Sequence, residues 1–253
     1  MSIFLATLRF LTIISVPWRR DTQKAQLGHS VGYFPVVGLI IGLILVSLNW
    51  LFRLVLPLSI TNALLLAVLV ILTGALHLDG LADTCDGLAG HKAVEDRWRI
   101  MRDSRVGGFG VVAIVLILLI KYVSLNGIPG TLLIVSLVLM PVVGRWAMTC
   151  AIFAYPYARP SGLGKVFKEG TRWPEFIVAT IITIIVATLS MKLIGLVILA
   201  IVSIIIMVLA TYFKRTFAGL TGDNYGAINE ISEASVLILI NIFVYSGLLQ
   251  SGG

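Results

Sequence analysis

The residues that could do chemistry in this sequence are concentrated in one stretch. His77-Leu78-Asp79-Gly80-Leu81-Ala82-Asp83-Thr84-Cys85-Asp86-Gly87 is followed closely by Ile100-Met101-Arg102-Asp103-Ser104-Arg105-Val106-Gly107-Gly108-Phe109-Gly110. Asp79, Asp83 and Asp86 stand at i, i+4 and i+7, so on a helix the three carboxylates project from one face. Like charges at that spacing repel one another. A fold keeps such a face when something cationic sits between its members, the alternative being a solvated acidic loop. Carboxylate oxygens with few nitrogen or sulfur ligands nearby point to magnesium or manganese rather than zinc.

Around this acidic face the sequence supplies groups suited to phosphate. Arg97, Arg99, Arg102 and Arg105 form a guanidinium row, and guanidinium groups grip phosphate oxygens bidentately. Contact with anionic lipid accounts for part of the same row. Asp103-Ser104-Arg105 precedes Gly107-Gly108, where glycines allow close backbone approach at the start of a helix. Arg145 lies inside an apolar run, a costly position that predicts a partner: a carboxylate of the first cluster or a substrate phosphate, unless it snorkels. The segment Tyr157-Ala158-Arg159-Pro160-Ser161-Gly162-Leu163-Gly164-Lys165 combines glycines with two cations, as a phosphate grip or lid would. Asp223 and Asn224, between glycines, form either a turn or further metal or hydroxyl contacts together with Glu230 and Glu233. His29, His77 and His91 lack ligand spacing and read equally well as polar residues at an interface, and Cys85 and Cys150 suggest neither a disulfide framework nor a zinc site.

The elements that must position these groups are apolar helices. The chain has 253 residues, 58% of them hydrophobic and 12% charged, about half the charged fraction of a soluble domain. This predicts an all-α, polytopic membrane helix bundle forming a single domain over 1–253. The apolar runs predict about seven transmembrane helices, near 32–56, 60–76, 110–125, 131–154, 174–190, 193–212 and 228–248. Met1–Val16 is too short to cross and carries Arg9, so it reads as an interfacial or re-entrant helix, with a first span as the alternative. The long polar loops 17–31, 77–109, 155–173 and 213–227 hold 14 of the 19 Lys and Arg residues. An odd number of spans between long and short loops puts all the long ones on one face, which the positive-inside rule makes cytoplasmic. Arg53, Lys121 and Lys192 fall near the turns of the other face. The net charge of +7 therefore reflects membrane topology rather than nucleic-acid binding. Carboxylates confined to one face suit an interfacial enzyme better than a transporter.

These segments resemble a known family. HLDGLADTCDGLAG (77–90), IMRDSRVGGFG (100–110) and GLTGDNYGA (219–227) followed by Glu230 and Glu233 are similar to the cobalamin synthase family, the adenosylcobinamide-GDP ribazoletransferases. FLTIISVP (10–17), GYFPVVGLIIG (32–42) and YARPSGLG (157–164) resemble it too, in family order over nearly the whole chain. The resemblance implies a magnesium-dependent, multi-pass enzyme of the bacterial or archaeal inner membrane. Its small-molecule substrates would be adenosylcobinamide-GDP and α-ribazole or α-ribazole 5′-phosphate. It would release GMP late in coenzyme B12 biosynthesis, with membrane lipid as surroundings and a homo-oligomer left open. More distantly, Asp83-Thr84-Cys85-Asp86-Gly87 resembles the start of the CDP-alcohol phosphotransferase motif. The alternative of a lipid-headgroup enzyme is weakened because no GxxxDxxxD follows downstream.

The expected site then has named parts. Asp79, Asp83 and Asp86 hold magnesium, and Asp83, the central one, is the catalytic base. Arg102, Asp103, Ser104, Arg105, Arg145, Arg159, Lys165, Asp223 and Asn224 bind substrate.

Overall fold

A computed structural model describes residues 2–15, 27–90 and 93–249. The expected basic loop residues Arg19, Arg20 and Lys24, and also His91, lie outside the described residues. The rest is helical: α1 (Ser2–Leu11), a 3-10 turn (His29–Tyr33), α2 (Phe34–Phe52), α3 (Leu58–Leu72), α4 (Leu76–Leu88), α5 (Val94–Ile100), α6 (Gly108–Gly127), α7 (Gly130–Ala154), α8 (Leu163–Gly170), α9 (Trp173–Phe217) and α10 (Gly222–Tyr245). Five helices are long and apolar enough to cross a membrane, or six if the bent pair α3 and α4 is counted as one. A polytopic membrane bundle fits this architecture.

Helix α7 is the centre, buried along most of its length and packed against α2, α9 and α10. Small residues let it be approached. A Cβ on Gly42 of α2 would lie 2.7 Å from the Val138 Cα, and one on Gly38 would collide with the Pro141 carbonyl. Such close backbone approach replaces the hydrophobic effect, which lipid does not supply between helices.

Three differences from the expected spans bear on how the polar groups are positioned. The run 60–76 is not one straight segment: α3 has 15 residues, and the chain turns by 85° into α4. Gly74 (φ 59°) and Ala75 (φ 56°) make that corner in the left-handed region. The runs 174–190 and 193–212 form α9, a 45-residue element broken at Met191 and Lys192. There the chain doubles back, because a Cβ on Gly195 would strike the Ala187 carbonyl. Finally, the last helix starts at Gly222, six residues earlier than expected. Thr221 caps it, its hydroxyl accepting from Asn224 N–H (3.2 Å) while Asn224 Oδ1 accepts from Thr221 N–H (2.9 Å). This reciprocal capping box nucleates the helix where the glycines suggested a turn.

Candidate active site

Helix α4 carries the acidic motif and is fixed at both ends. Arg97 on α5 donates to the carbonyls of Gly87 (2.6 Å) and Gly90 (3.0 Å). Trp98 Nε1 ties α5 to the Phe217 carbonyl at 3.1 Å. At Gly80, α4 crosses the first turn of α10 so closely that a Cβ would sit 2.8 Å from the Asp223 carbonyl oxygen. Asn224 Nδ2 donates to Thr84 Oγ1 at 3.1 Å across the same crossing. Asp79 and Asp83 on one helix are thereby set beside Asp223 on another.

The three expected metal carboxylates do not share an environment. Asp79 is exposed, Asp83 half-buried and Asp86 buried. Asp86 accepts from the backbone N–H of Gly107 (2.7 Å) and Gly110 (2.9 Å) at the start of α6. A side chain at either glycine would collide with the carboxylate. The close backbone approach expected at Gly107 is thus made by the protein's own Asp86, the anion held at this helix N-terminus. Asp83 lies among like charges. Burial, then Asp79, Asp223 and Asp86, push its pKa up to about 7, with Arg159 opposing them. Among the described residues no three acidic, His or Cys side chains are placed to enclose a metal ion by themselves.

Beside this cluster opens a cavity of about 520 Å³, within the ~300–1,000 Å³ usual for small-molecule sites. Asp79, Asp223, Arg102 and Arg159 line its polar part, and Arg159 Nη2 donates to Asp223 Oδ2 at 2.9 Å. The segment around Arg159 is held there by backbone pairing: Ala158 N–H donates to the Leu220 carbonyl and Leu220 N–H to the Pro156 carbonyl, both at 2.8 Å. Phe10, Phe34, Met148, Ile152 and Phe167 line an apolar part. Phe167 sits 4.8 Å from Phe10 and 5.6 Å from Phe34, centroid to centroid. His77 and Tyr225 also line the cavity. His77 Nε2 and Tyr225 Oη are buried with no hydrogen-bond partner among the described residues, a state costing ~1–3 kcal/mol per group. Burial, with Arg145 and Lys121 nearby, pushes the His77 pKa well below its ordinary value and keeps the ring neutral.

The other expected substrate contacts are placed elsewhere. Arg105 pairs with Asp103 through two bonds of 3.0 and 2.8 Å, both side chains and Ser104 being exposed and outside the cavity lining. Lys165 Nζ donates to the Pro160 carbonyl at 3.0 Å and is likewise outside the lining. Asn224 is buried and its amide is engaged by Thr221 and Thr84, so it holds Asp223 in place instead of facing the cavity.

Arg145 is the largest departure. It is fully buried and bonds Glu233 of α10, not the acidic motif. Lys121, which fell near an expected turn, is buried within α6 and bonds Glu230 (2.7 Å) and Glu233 (2.5 Å). Asn229 Nδ2 adds bonds to Glu230 (3.3 Å) and Glu233 (3.1 Å). Two cations and two carboxylates thus neutralise one another inside the bundle, and Glu230 and Glu233 are removed from the candidate metal contacts. Sequence reasoning also missed the aromatic wall and Tyr225; the only signal for them was aromatics recurring beside glycine-rich segments.

Comparison with known proteins shows the family. The chain matches the cobalamin-5-phosphate synthase family over residues 3–241. Relatives named adenosylcobinamide-GDP ribazoletransferase include one from Geotalea daltonii, 36% identical over 98% of this chain and 99% of its own length. Others come from Roseiflexus sp. (37%; 96% and 91%) and Herpetosiphon aurantiacus (38%; 94% and 95%). No solved structure matches the chain. With nearly the whole sequence aligned, and the acidic helix, the arginines and the cavity assembled in one place, this chain belongs to the cobalamin-5-phosphate synthase family.

Proposed function

We propose that the chain catalyses the transfer for which its relatives are named, joining adenosylcobinamide-GDP to α-ribazole or its 5′-phosphate with release of GMP. The observation that supports this best is the cavity whose polar part sets Asp79 and Asp223 against Arg102 and Arg159. Two arginines suit the oxygens of a diphosphate, and carboxylates beside them suit a divalent cation bound with it. Magnesium usually keeps several waters and is held by one or two carboxylates together with substrate phosphates. The donor set fits that habit without a closed protein cage: Asp79 and Asp223 would hold the ion, with Asp83 completing the acidic face. When bound, magnesium would neutralise charge on the diphosphate and on the departing phosphate.

The remaining steps belong to this chain's own side chains. Arg102 and Arg159 orient the diphosphate. The ribose 3′-hydroxyl oxygen of α-ribazole attacks the phosphorus on the cobinamide side. The bond from that phosphorus to the bridging oxygen breaks, and GMP leaves with that oxygen. Asp83, half-buried between Asp79 and Asp86, accepts the hydroxyl proton. Asp86 acts at one remove, fixing α4 to α6. The active face is cytoplasmic, in the inner membrane, since both the basic loops and the phosphate-binding groups lie on it.

The test supplies purified enzyme with adenosylcobinamide-GDP, α-ribazole and magnesium, and follows GMP and corrinoid product together. Equimolar GMP and new corrinoid are expected, lost with EDTA and restored by magnesium. Turnover of a CDP-alcohol without corrinoid product would overturn the assignment.

A further inference from the structure

The cavity has two unlike parts, and the proposed transfer has so far drawn on only one. Asp79, Asp223, Arg102 and Arg159 account for phosphates and a cation. Phe10, Phe34 and Phe167 do not, nor do the two polar groups set among apolar neighbours. His77 and Tyr225 are 1% and 2% exposed and both line the cavity. Their Nε2 and Oη atoms are buried and lack a partner among the described residues. Unpaired buried polar atoms on residues that line a cavity are groups a bound ligand would satisfy.

We infer that the apolar part of the cavity seats the base of the acceptor nucleoside, with Tyr225 and His77 as the residues that recognise it. The inference rests on the proposed function and assigns its second substrate a place. Shape and polarity choose between the two bases in the reaction. Guanine carries hydrogen-bonding groups along most of its edge, and an aromatic wall with two neutral polar groups would strand the majority of them. The benzimidazole-type base of α-ribazole has one free ring nitrogen and otherwise presents hydrocarbon. Its flat face suits the ring cluster of Phe10, Phe34 and Phe167, and its nitrogen needs one donor, which the Tyr225 hydroxyl supplies. His77 Nε2 is left for the attached ribose, His77 and Asp79 both lining the cavity. The volume of about 520 Å³ holds one nucleoside and not a corrin macrocycle as well. The corrinoid therefore presents its diphosphate from the open side, and the two substrates approach from opposite parts of the cavity.

The test uses the full-length enzyme and two ligands, α-ribazole and its analogue with CH in place of the free ring nitrogen. Binding is measured by calorimetry, and KM is measured for each substrate with the other saturating. The wild-type enzyme is expected to prefer α-ribazole over the analogue by about tenfold, the order of one neutral hydrogen bond. Tyr225→Phe is expected to raise the KM and Kd for α-ribazole by a similar factor, to erase the preference over the analogue, and to leave the KM for adenosylcobinamide-GDP unchanged. His77→Gln is the second variant, expected to weaken α-ribazole and the analogue alike. The comparison of the two ligands in the wild-type enzyme needs no variant. An active wild-type enzyme that does not distinguish the ligands overturns this inference alone, as does a Tyr225→Phe effect confined to adenosylcobinamide-GDP. A wild-type enzyme that neither binds nor converts α-ribazole overturns the proposed function as well.

Discussion

The chain gathers charge in two places, and they are built on opposite plans. At the cavity, Asp79 and Asp223 stand with Arg102 and Arg159, and the half-buried Asp83 beside them lies among like charges. Inside the bundle, Glu230 and Glu233 face Lys121 and Arg145 in equal number, with almost no exposure. Matched charges in a low-dielectric interior neutralise one another and tie α6, α7 and α10 together. Unmatched carboxylates that repel one another leave a position for a cation. Both groups are carried by α10, which joins them: its first turn supplies Asp223, and its third and fourth turns supply the buried pair.

This contrast predicts separable defects. The largest should come from Glu233→Gln, which leaves Arg145 buried without a countercharge. Removing one partner from such a network costs ~3–5 kcal/mol, read as a lowered melting temperature in detergent. The paired change Arg145→Met with Glu233→Leu should recover much of it, as apolar packing replaces the ion pair. Asp86→Ala should come next, losing the cap on α6 at about 1–2 kcal/mol, with activity falling as α4 loses its anchor; thermal melting and GMP release, measured together, check both parts.

A smaller effect concerns Asp83 and runs the other way. Its folded pKa of about 7 lies above the ordinary value of 3.8, so ionising it opposes folding. The stability of the protonated form is fully present below about pH 4 and is lost as pH rises through about 7. Asp83→Asn should therefore melt a few degrees higher than wild type at pH 8, with the difference vanishing below about pH 4. Partial exposure keeps the effect on the order of 1 kcal/mol. The rate should move with the same group: kcat/KM at subsaturating magnesium falls as pH drops through about 7, because the base must be ionised. A variant equal to wild type in melting temperature at every pH would remove Asp83 from the repelling cluster.

How much the sequence disclosed depends on the range of the interactions involved. Apolar runs and the i, i+4, i+7 carboxylates are local, and both α4 and the long helices come out where those patterns lie. The break at Met191–Lys192 is local too and was legible as a gap between two runs. The capping role of Asp86 was not legible because its partners stand 21 and 24 residues away, and nothing in the motif itself distinguishes a capping carboxylate from a metal ligand. Lys121 and its glutamates are separated by 109 and 112 residues, so only the packing of α6 against α10 reveals them. The aromatic wall is assembled from positions 10, 34 and 167, each ordinary in its own helix. Glycine carried a clear signal with an ambiguous meaning: close approach was expected at Gly107, and the approaching group is a side chain of the protein.

The most direct measurement compares Asp79→Asn with Glu233→Gln in parallel, recording thermal melting and GMP release from adenosylcobinamide-GDP and α-ribazole for each. Asp79→Asn is expected to melt at or above the wild-type temperature while losing about 10²–10³ of its turnover, the scale for removing one group that stabilises developing charge. Glu233→Gln is expected to melt well below wild type, with the molecules that remain folded keeping substantial turnover. The opposite pattern, an unstable Asp79→Asn and a stable but inactive Glu233→Gln, would place the chemistry at the buried quartet and contradict the division between a site that acts and a network that holds.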